Sequence, residues 1–293
     1  MVRNVHIFTL IVALIALALS PGCRKDIPAF VELDQARHTA ADLRIQFGKA
    51  VDASNRAVMA ETDEASIAFA REAEQTSRLV ENDTLSLTSL LRSLHYPVEI
   101  RLLDDFKRHF SEYLALDRSI LELAVENTNL KAQRLSFGAS REAADGFRKS
   151  IESVAGTVPQ KDRCRVELLV AKAVLAVREM QVLQAPHIAE SDAATMTHIE
   201  NELDRRQVSA RDAVGDVSKL VALNARKPVV AALEQLERFK TISDQIVALS
   251  RRNSNVRSLD LALRTKPPLT AACDNSLRAL QDALVNQGFK ATR

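Results

Sequence analysis

The polar side chains that recur in a fixed setting in this 293-residue sequence are two triplets, Asn127-Thr128-Asn129 and Asn253-Ser254-Asn255. Their chemistry is recognition, because an amide both donates and accepts a hydrogen bond but is a poor nucleophile, acid or base. Asn127 ends a seven-residue line through Phe106, Tyr113 and Ile120, with His109, Leu116, Leu123 and Leu130 as a second line. Asn253 likewise follows Phe239 and Ile246, flanked by Ile242, Leu249 and Val256. A heptad of apolar residues marks the face that a helix buries against its neighbours. Both amides therefore belong on a buried seam, where they either pair across the bundle and fix its register or line a ligand pocket. One other constellation has metal-binding spacing: His198 and Glu202 stand a helical turn apart. A pair at that spacing is far more often a surface contact than a ligand set.

Other catalytic patterns are missing. No histidine has a glutamate three positions before it, as inward-facing di-iron sites in bundles require, and there is no Cys-x-x-Cys-His for covalent haem. Neither a glycine-rich phosphate loop nor a Gly-x-Ser-x-Gly elbow occurs. The reading is of a protein that is not an enzyme, with no catalytic residue, no cofactor and no metal. Forty basic residues against 38 acidic ones, interspersed to a net charge of +2, also argue against nucleic acid as a partner, which needs a concentrated basic face.

The elements that must carry these residues are helices. Seven glycines, eight prolines, no tryptophan and 4% aromatic residues are too few turn and strand formers for a sheet protein. From Phe30 onward apolar residues recur every three or four positions, between breaks at Pro97, Gly138, Pro159, Pro228 and Pro267-Pro268. Long helices with short connections pack as antiparallel bundles. The chain also repeats itself. Ala60-Glu61-Thr62-Asp63 returns as Ala189-Glu190-Ser191-Asp192, Pro97 as Pro228, and the first asparagine triplet as the second. The predicted fold is all-α, two tandem four-helix bundles over residues 28–157 and 160–290, with Thr62 and Ser191 as helix N-caps. In the first copy the four stretches begin near Pro28, Thr62, Pro97 and Gly138.

Residues 1–23 differ from the rest. Arg3 precedes an apolar run from Ile7 to Leu19, broken by Ser20-Pro21-Gly22 before Cys23. This is the anatomy of a secretory signal, and the run is shorter than a comfortable membrane span. Gly22-Cys23 is similar to the end of a lipobox, which implies lipidation at Cys23, although Ser20 stands where that motif prefers leucine. Simple cleavage and an uncleaved anchor are the alternatives. Either way the chain is expected to be exported and periplasmic, and it is membrane-anchored through its N-terminus if Cys23 is lipidated. In an oxidising compartment Cys164 and Cys273 can pair or remain two small apolar side chains.

Leu116 to Phe137, with Leu123-Ala124, the Asn127 triplet, Ala132 and Leu135-Ser136, resembles the four-helix-bundle ligand-binding domain of methyl-accepting chemotaxis proteins. The second copy resembles it through Leu249-Ser250, the Asn253 triplet with Val256-Arg257-Ser258, and Leu269-Thr270-Ala271-Ala272. The resemblance implies a periplasmic sensor of small molecules. After Leu284, however, the sequence shows neither an apolar run nor an output region, so any signal is expected to pass through a partner. The candidate partners are a small-molecule ligand and an envelope or signalling protein. The alternative function is a structural or scaffolding envelope protein that presents helical docking surfaces.

Overall fold

A computed structural model describes residues 29–223 and 226–291; Cys23 and the rest of the N-terminal segment lie outside them. Every regular element among the described residues is helical, and none of these helices is long and apolar enough to cross a membrane. Helix α1 (Ala29–Met59) buries Leu33, Ala36, Ala40, Leu43 and Phe47, a three-and-four spacing that makes one apolar stripe. It turns into α2 (Asp63–Ser93), whose first turn is capped by Thr62, Oγ1 accepting from the Ala65 amide at 3.1 Å. His95, with φ of 57°, ends α2; its amide donates to Arg92 O and that of Tyr96 to Leu91 O. This paired closure usually employs glycine. Pro97 then opens α3 (Pro97–Glu126), where a missing amide costs nothing.

Beyond α3 the backbone turns once through Asn127 and continues as α4 (Thr128–Leu135), a wide π-turn at Ser136–Ser140, α5 (Arg141–Glu152) and a 3₁₀ turn at Ser153–Thr157. Gly138, expected to open a new stretch, lies inside the π-turn, and the chain keeps its direction through it. The pattern then repeats with α6 (Gln160–Ala189), α7 (Ala193–Leu220), α8 (Lys227–Arg252), a turn through Asn253, α9 (Ser254–Asp260), a π-turn at Leu261–Thr265 and α10 (Lys266–Ala291). Pro267 and Pro268 follow the second π-turn after one residue, Lys266. A proline ring clashes with the carbonyl four residues back, and a widened turn relieves that clash. The cap of α7 is Asp192, whose side chain accepts from the Thr195 amide at 2.7 Å; Ser191, the expected cap, lies one residue too early.

Two cores result; the second is built from consecutive helices, whereas the first takes its fourth helix from the far end of the chain. In the first, Leu43 and Phe47 of α1, Val80 and Leu87 of α2, and Leu103, Phe106 and Tyr113 of α3 pack with Cys273, Leu277, Leu280 and Leu284 of α10. In the second, Phe147 and Ile151 of α5 join Val170 and Val177 of α6, Ala210 and Val217 of α7, and Leu236, Phe239 and Ile246 of α8. The bundles have therefore exchanged their fourth helices. The division at 157/160 read from the repeat does not follow the packing, because α5 belongs with the second unit and α10 with the first. The physical reason is the backbone turn at each asparagine, which sends the following helix across to the other bundle.

Candidate functional site

The exchange places the two asparagine triplets against each other. Asn127 (φ 49°) and Asn253 (φ 54°) both adopt the left-handed conformation, which asparagine tolerates better than other residues bearing a Cβ. Each turn starts a helix whose first amides point at the other triplet. The Thr128 amide donates to Ser254 Oγ at 3.0 Å, and the Ser254 amide to Thr128 Oγ1 at 3.0 Å. The Asn129 amide donates to Asn255 Oδ1 at 3.1 Å, and that of Asn255 to Asn129 Oδ1 at 3.2 Å. Two helix N-termini thus cap one another with side-chain oxygens, the role serine and asparagine fill best. Asn129 Nδ2 also donates to Asn253 Oδ1 at 2.8 Å, and Asn255 Nδ2 to Asn127 Oδ1 at 2.9 Å.

The sequence placed Asn127 and Asn253 inside helices on a seam. The structure buries them to 1% and 6% exposure, but at the points where the helices break. The two copies differ in their bonds to the end of α6, where Asn129 Nδ2 donates to Ile188 O at 2.7 Å and Asn255 Nδ2 makes no such bond. Asn253 Nδ2 donates to Glu190 O at 2.9 Å, whereas Asn127 Nδ2 is buried without a partner. Glu126 and Arg252, 126 residues apart, clamp the outside of the joint at 2.7 Å, and Arg252 holds the Glu126 carboxyl below the usual carboxylate range.

A cleft of about 700 Å³ opens beside Asn253, between the start of α7 and the segment from α9 into its π-turn. Its polar lining is Arg251, Arg257, Arg264, Asp260, Asn253 and Ser191, and its apolar lining includes Met196, Val256 and Leu261. Arg251 is fixed by Glu200 at 2.6 Å and by Thr197 Oγ1 at 2.7 Å, and Arg264 by Asp260 at 3.0 Å. Arg257 has no ion-pair partner among the described residues. Behind this wall lies fully buried His187, its Nε2 2.8 Å from Glu200 Oε1. Arg251 first, and then His187, hold the Glu200 carboxyl below its ordinary range. Arg251 and Arg264 are thus neutralised by Glu200 and Asp260, and Asp192 already caps the 28-residue helix α7, which leaves Arg257 as the guanidinium that can meet an anion.

Each bundle also has a buried polar layer, which the sequence reading missed. In the first, Lys266 (2% exposed) lies 2.9 Å from Asp117 Oδ1 and donates to Ser54 Oγ at 2.6 Å. Ser54 in turn donates to Asp117 at 2.5 Å. Burial pushes the Lys266 ammonium below the usual lysine range, with Asp117 opposing the shift. Burial and then the Asp117 charge push the Tyr113 phenol far up. In the second bundle Gln184 is bonded by Ser136 at 2.7 Å and donates to Ser140 and Ser243 at 2.9 and 3.3 Å. The signal for Asp117 lay in the line Leu103, Phe110, Asp117, Ala124, which is the buried second line; the line through His109 and Leu116 is only half-buried.

His198 is exposed, and Glu202 is occupied by Arg205 and Arg206. Among the described residues no group of three or more His, Cys, Asp or Glu side chains is arranged to hold a metal ion. Cys164 is exposed and Cys273 buried, and the two are not bonded to each other; burial pushes the Cys273 thiol up to about 12.

No protein-family model matches this chain, and no curated protein does. Among solved structures it is similar to the crystal structure of the TorS sensor domain–TorT complex in the presence of TMAO, with a TM-score of 0.48 and 10% identity over 87% of this chain and 99% of that one.

Proposed function

We propose that this chain is an exported, membrane-anchored, non-enzymatic sensor-like module that binds a small amphipathic anion in the cleft beside Asn253. The observation that carries the reading is the unpaired Arg257 in a cleft already walled by two anchored arginines and an apolar flank. A carboxylate, sulfonate or phosphate head fits the Arg257 guanidinium, and an apolar body fits Met196, Val256 and Leu261. The place matters as much as the charge. The cleft joins α7, which belongs to the second bundle, to the segment that carries α10 into the first, so a ligand there bears on how the two bundles are set. Within this reading the asparagine triplets are the joint and Arg257 the receptor, with Cys23 as the lipid anchor.

A thermal-shift screen of amphipathic anions against the full chain tests the proposal. A binder should raise the melting temperature in proportion to the logarithm of its concentration once above the dissociation constant, and Arg257→Ala should remove the shift. Stabilisation that survives Arg257→Ala, or no stabilising anion at all, sinks the ligand reading. That result would leave the self-capped joint as part of a scaffold. Its mutually satisfied hydrogen bonds favour that second reading, because they leave the asparagines little to offer a ligand. Metabolic lipid labelling that persists in Cys23→Ala would remove the anchor.

A further inference from the structure

The groove between α7 and α8, on the wall of the second bundle, encloses about 190 Å³ and is lined by Gln207, Ser243, Met180 and Leu203, with Asp204 among its charged residues. Gln207 is only 9% exposed, and its Oε1 and Nε2 are both buried with no hydrogen-bond partner among the described residues. A buried amide with neither end satisfied forfeits the bonds that water would give it, and native structures rarely leave both ends empty without a reason. The fold does not require an amide here, since the corresponding residue of α2, Ser77, is small and buried in the equivalent groove of the first bundle. Beside Gln207, Ser243 Oγ accepts from Gln184 at 3.3 Å and keeps its own proton to donate.

The charge around this groove differs in sign from that of the joint. Lys240 is bound to Asp244 at 2.6 Å, and Glu200 to Arg251 at 2.6 Å. Asp204, one turn before Gln207 on the same helix and exposed, has no ion-pair partner among the described residues. An anion is disfavoured here. A group with adjacent donor and acceptor answers Gln207, and an ammonium answers Asp204. We propose that the groove is a second ligand site, selective for a compact amine that carries a carboxamide or urea group. Gln207 reads the amide face, Ser243 donates to its carbonyl, and Asp204 takes the ammonium.

Glycinamide is the minimal probe, titrated into the full chain while the Gln207 side-chain amide resonances are followed by NMR. The expected result is a saturable shift of those resonances, with acetate giving none and ethylamine binding at least tenfold more weakly. Gln207→Leu removes two unpartnered atoms from a buried position, so it should fold at least as well as the parent and weaken glycinamide at least tenfold, read from backbone amides of α7. Asp204→Asn, at an exposed position, should weaken glycinamide several-fold and leave acetamide unchanged. Arg257→Ala should change none of these values, which separates this site from the one at the joint. Failure of glycinamide to saturate, equal binding by Gln207→Leu, or loss of binding in Arg257→Ala overturns the assignment.

Discussion

Corresponding positions of the two bundles solve one packing problem in opposite ways. Asp117 and Lys266 of the first bundle stand 126 residues from Ser243 and Ser140 of the second, and Ser54 faces the layer from the helix equivalent to the one that carries Gln184. The first layer is a buried ion pair with a serine between its members; the second is one amide held by hydroxyls. Four helices of this pattern therefore close without charge. A buried pair gains little net stability, because desolvation offsets its attraction, but breaking it is costly. Its position on α10 is informative, since Lys266 is the first residue of the helix that must find the distant bundle. The comparison suggests that the charged layer sets where and in what register α10 docks, and that α5, closer along the chain to its partners, manages with neutral bonds.

The largest test of this contrast removes α10. Ending the chain after Thr265 takes Cys273, Leu277, Leu280 and Leu284 out of the first core, all fully buried. Deleting one buried leucine side chain costs about 2–5 kcal/mol, so losing three together with a helix is comparable to the whole of the roughly 5–15 kcal/mol that holds a typical domain. Hydrogen exchange should show α1 to α3 unprotected and α6 to α8 still protected. Loss of protection in both would mean that the two bundles form one cooperative unit. By the same logic, a fragment from Pro159 to Arg293 should not fold as a complete bundle, because it lacks α5 and carries α10 without partners.

The next test compares the layers directly. Lys266→Ala strands Asp117 in the core and should cost about 3–5 kcal/mol in urea unfolding. Ser140→Ala leaves Gln184 with Ser136 and Ser243 and should cost about 1 kcal/mol. Converting the first layer toward the second, with Asp117→Ser and Lys266→Ser together, should recover much of the loss from Lys266→Ala. Equal costs for the two single substitutions would show that the charge at Lys266 carries no special weight.

The helical class was legible because apolar periodicity is a property of the sequence itself. The exchange was not. Nothing around Asn127 says that its φ is positive: Glu126 and Thr128 fit a helix, no glycine or proline is near, and the heptad from Phe106 runs straight into it. The polar layer was hidden for a different reason. Asp117 sits one residue from the apolar line through Leu116, so its charge read as solvated. Lys266, beside two prolines, read as part of a break. The cleft beside Asn253 depends on the turn at that residue, and no spacing rule brings Ser191 to Arg257. Seven-residue spacing located the asparagines; only the backbone turn shows what they hold.

The asparagines give a third, smaller contrast. Glycine keeps the left-handed turn at either site while deleting the side chain. Asn253→Gly loses the bonds with Asn129 and Glu190 and should cost about 2 kcal/mol at roughly 1 kcal/mol per bond. Asn127→Gly loses one bond, with Asn255, and also removes the buried, unpartnered Nδ2, so its cost should be about 1 kcal/mol or less. Leucine at either position adds the strain of a left-handed backbone and should be worse than glycine. If leucine proves neutral, the turn is not fixed by these residues.

The finest contrast is in the caps of the second helix of each bundle, which are uncharged at Thr62 and ionised at Asp192. Thr62→Ala should cost about 1 kcal/mol, and that cost should not change between neutral and acidic pH, because the hydroxyl does not titrate there. The Asp192 carboxyl is held below its ordinary value, first by the Thr195 amide and then by the Thr195 hydroxyl. A carboxyl with a folded value lower than its unfolded one binds protons more readily in the unfolded chain, so stability rises with pH across the interval between the two. The contribution of Asp192 is therefore complete above the usual aspartate range and fades as the pH falls through the lowered folded value. Melting curves of the parent, Thr62→Ala and Asp192→Ala between pH 7 and about pH 2 should show the Thr62 difference holding steady and the Asp192 difference shrinking with acid. A steady Asp192 difference would mean that the cap acts through its geometry alone and that its charge contributes nothing the hydroxyl of Thr62 does not already supply in the other bundle.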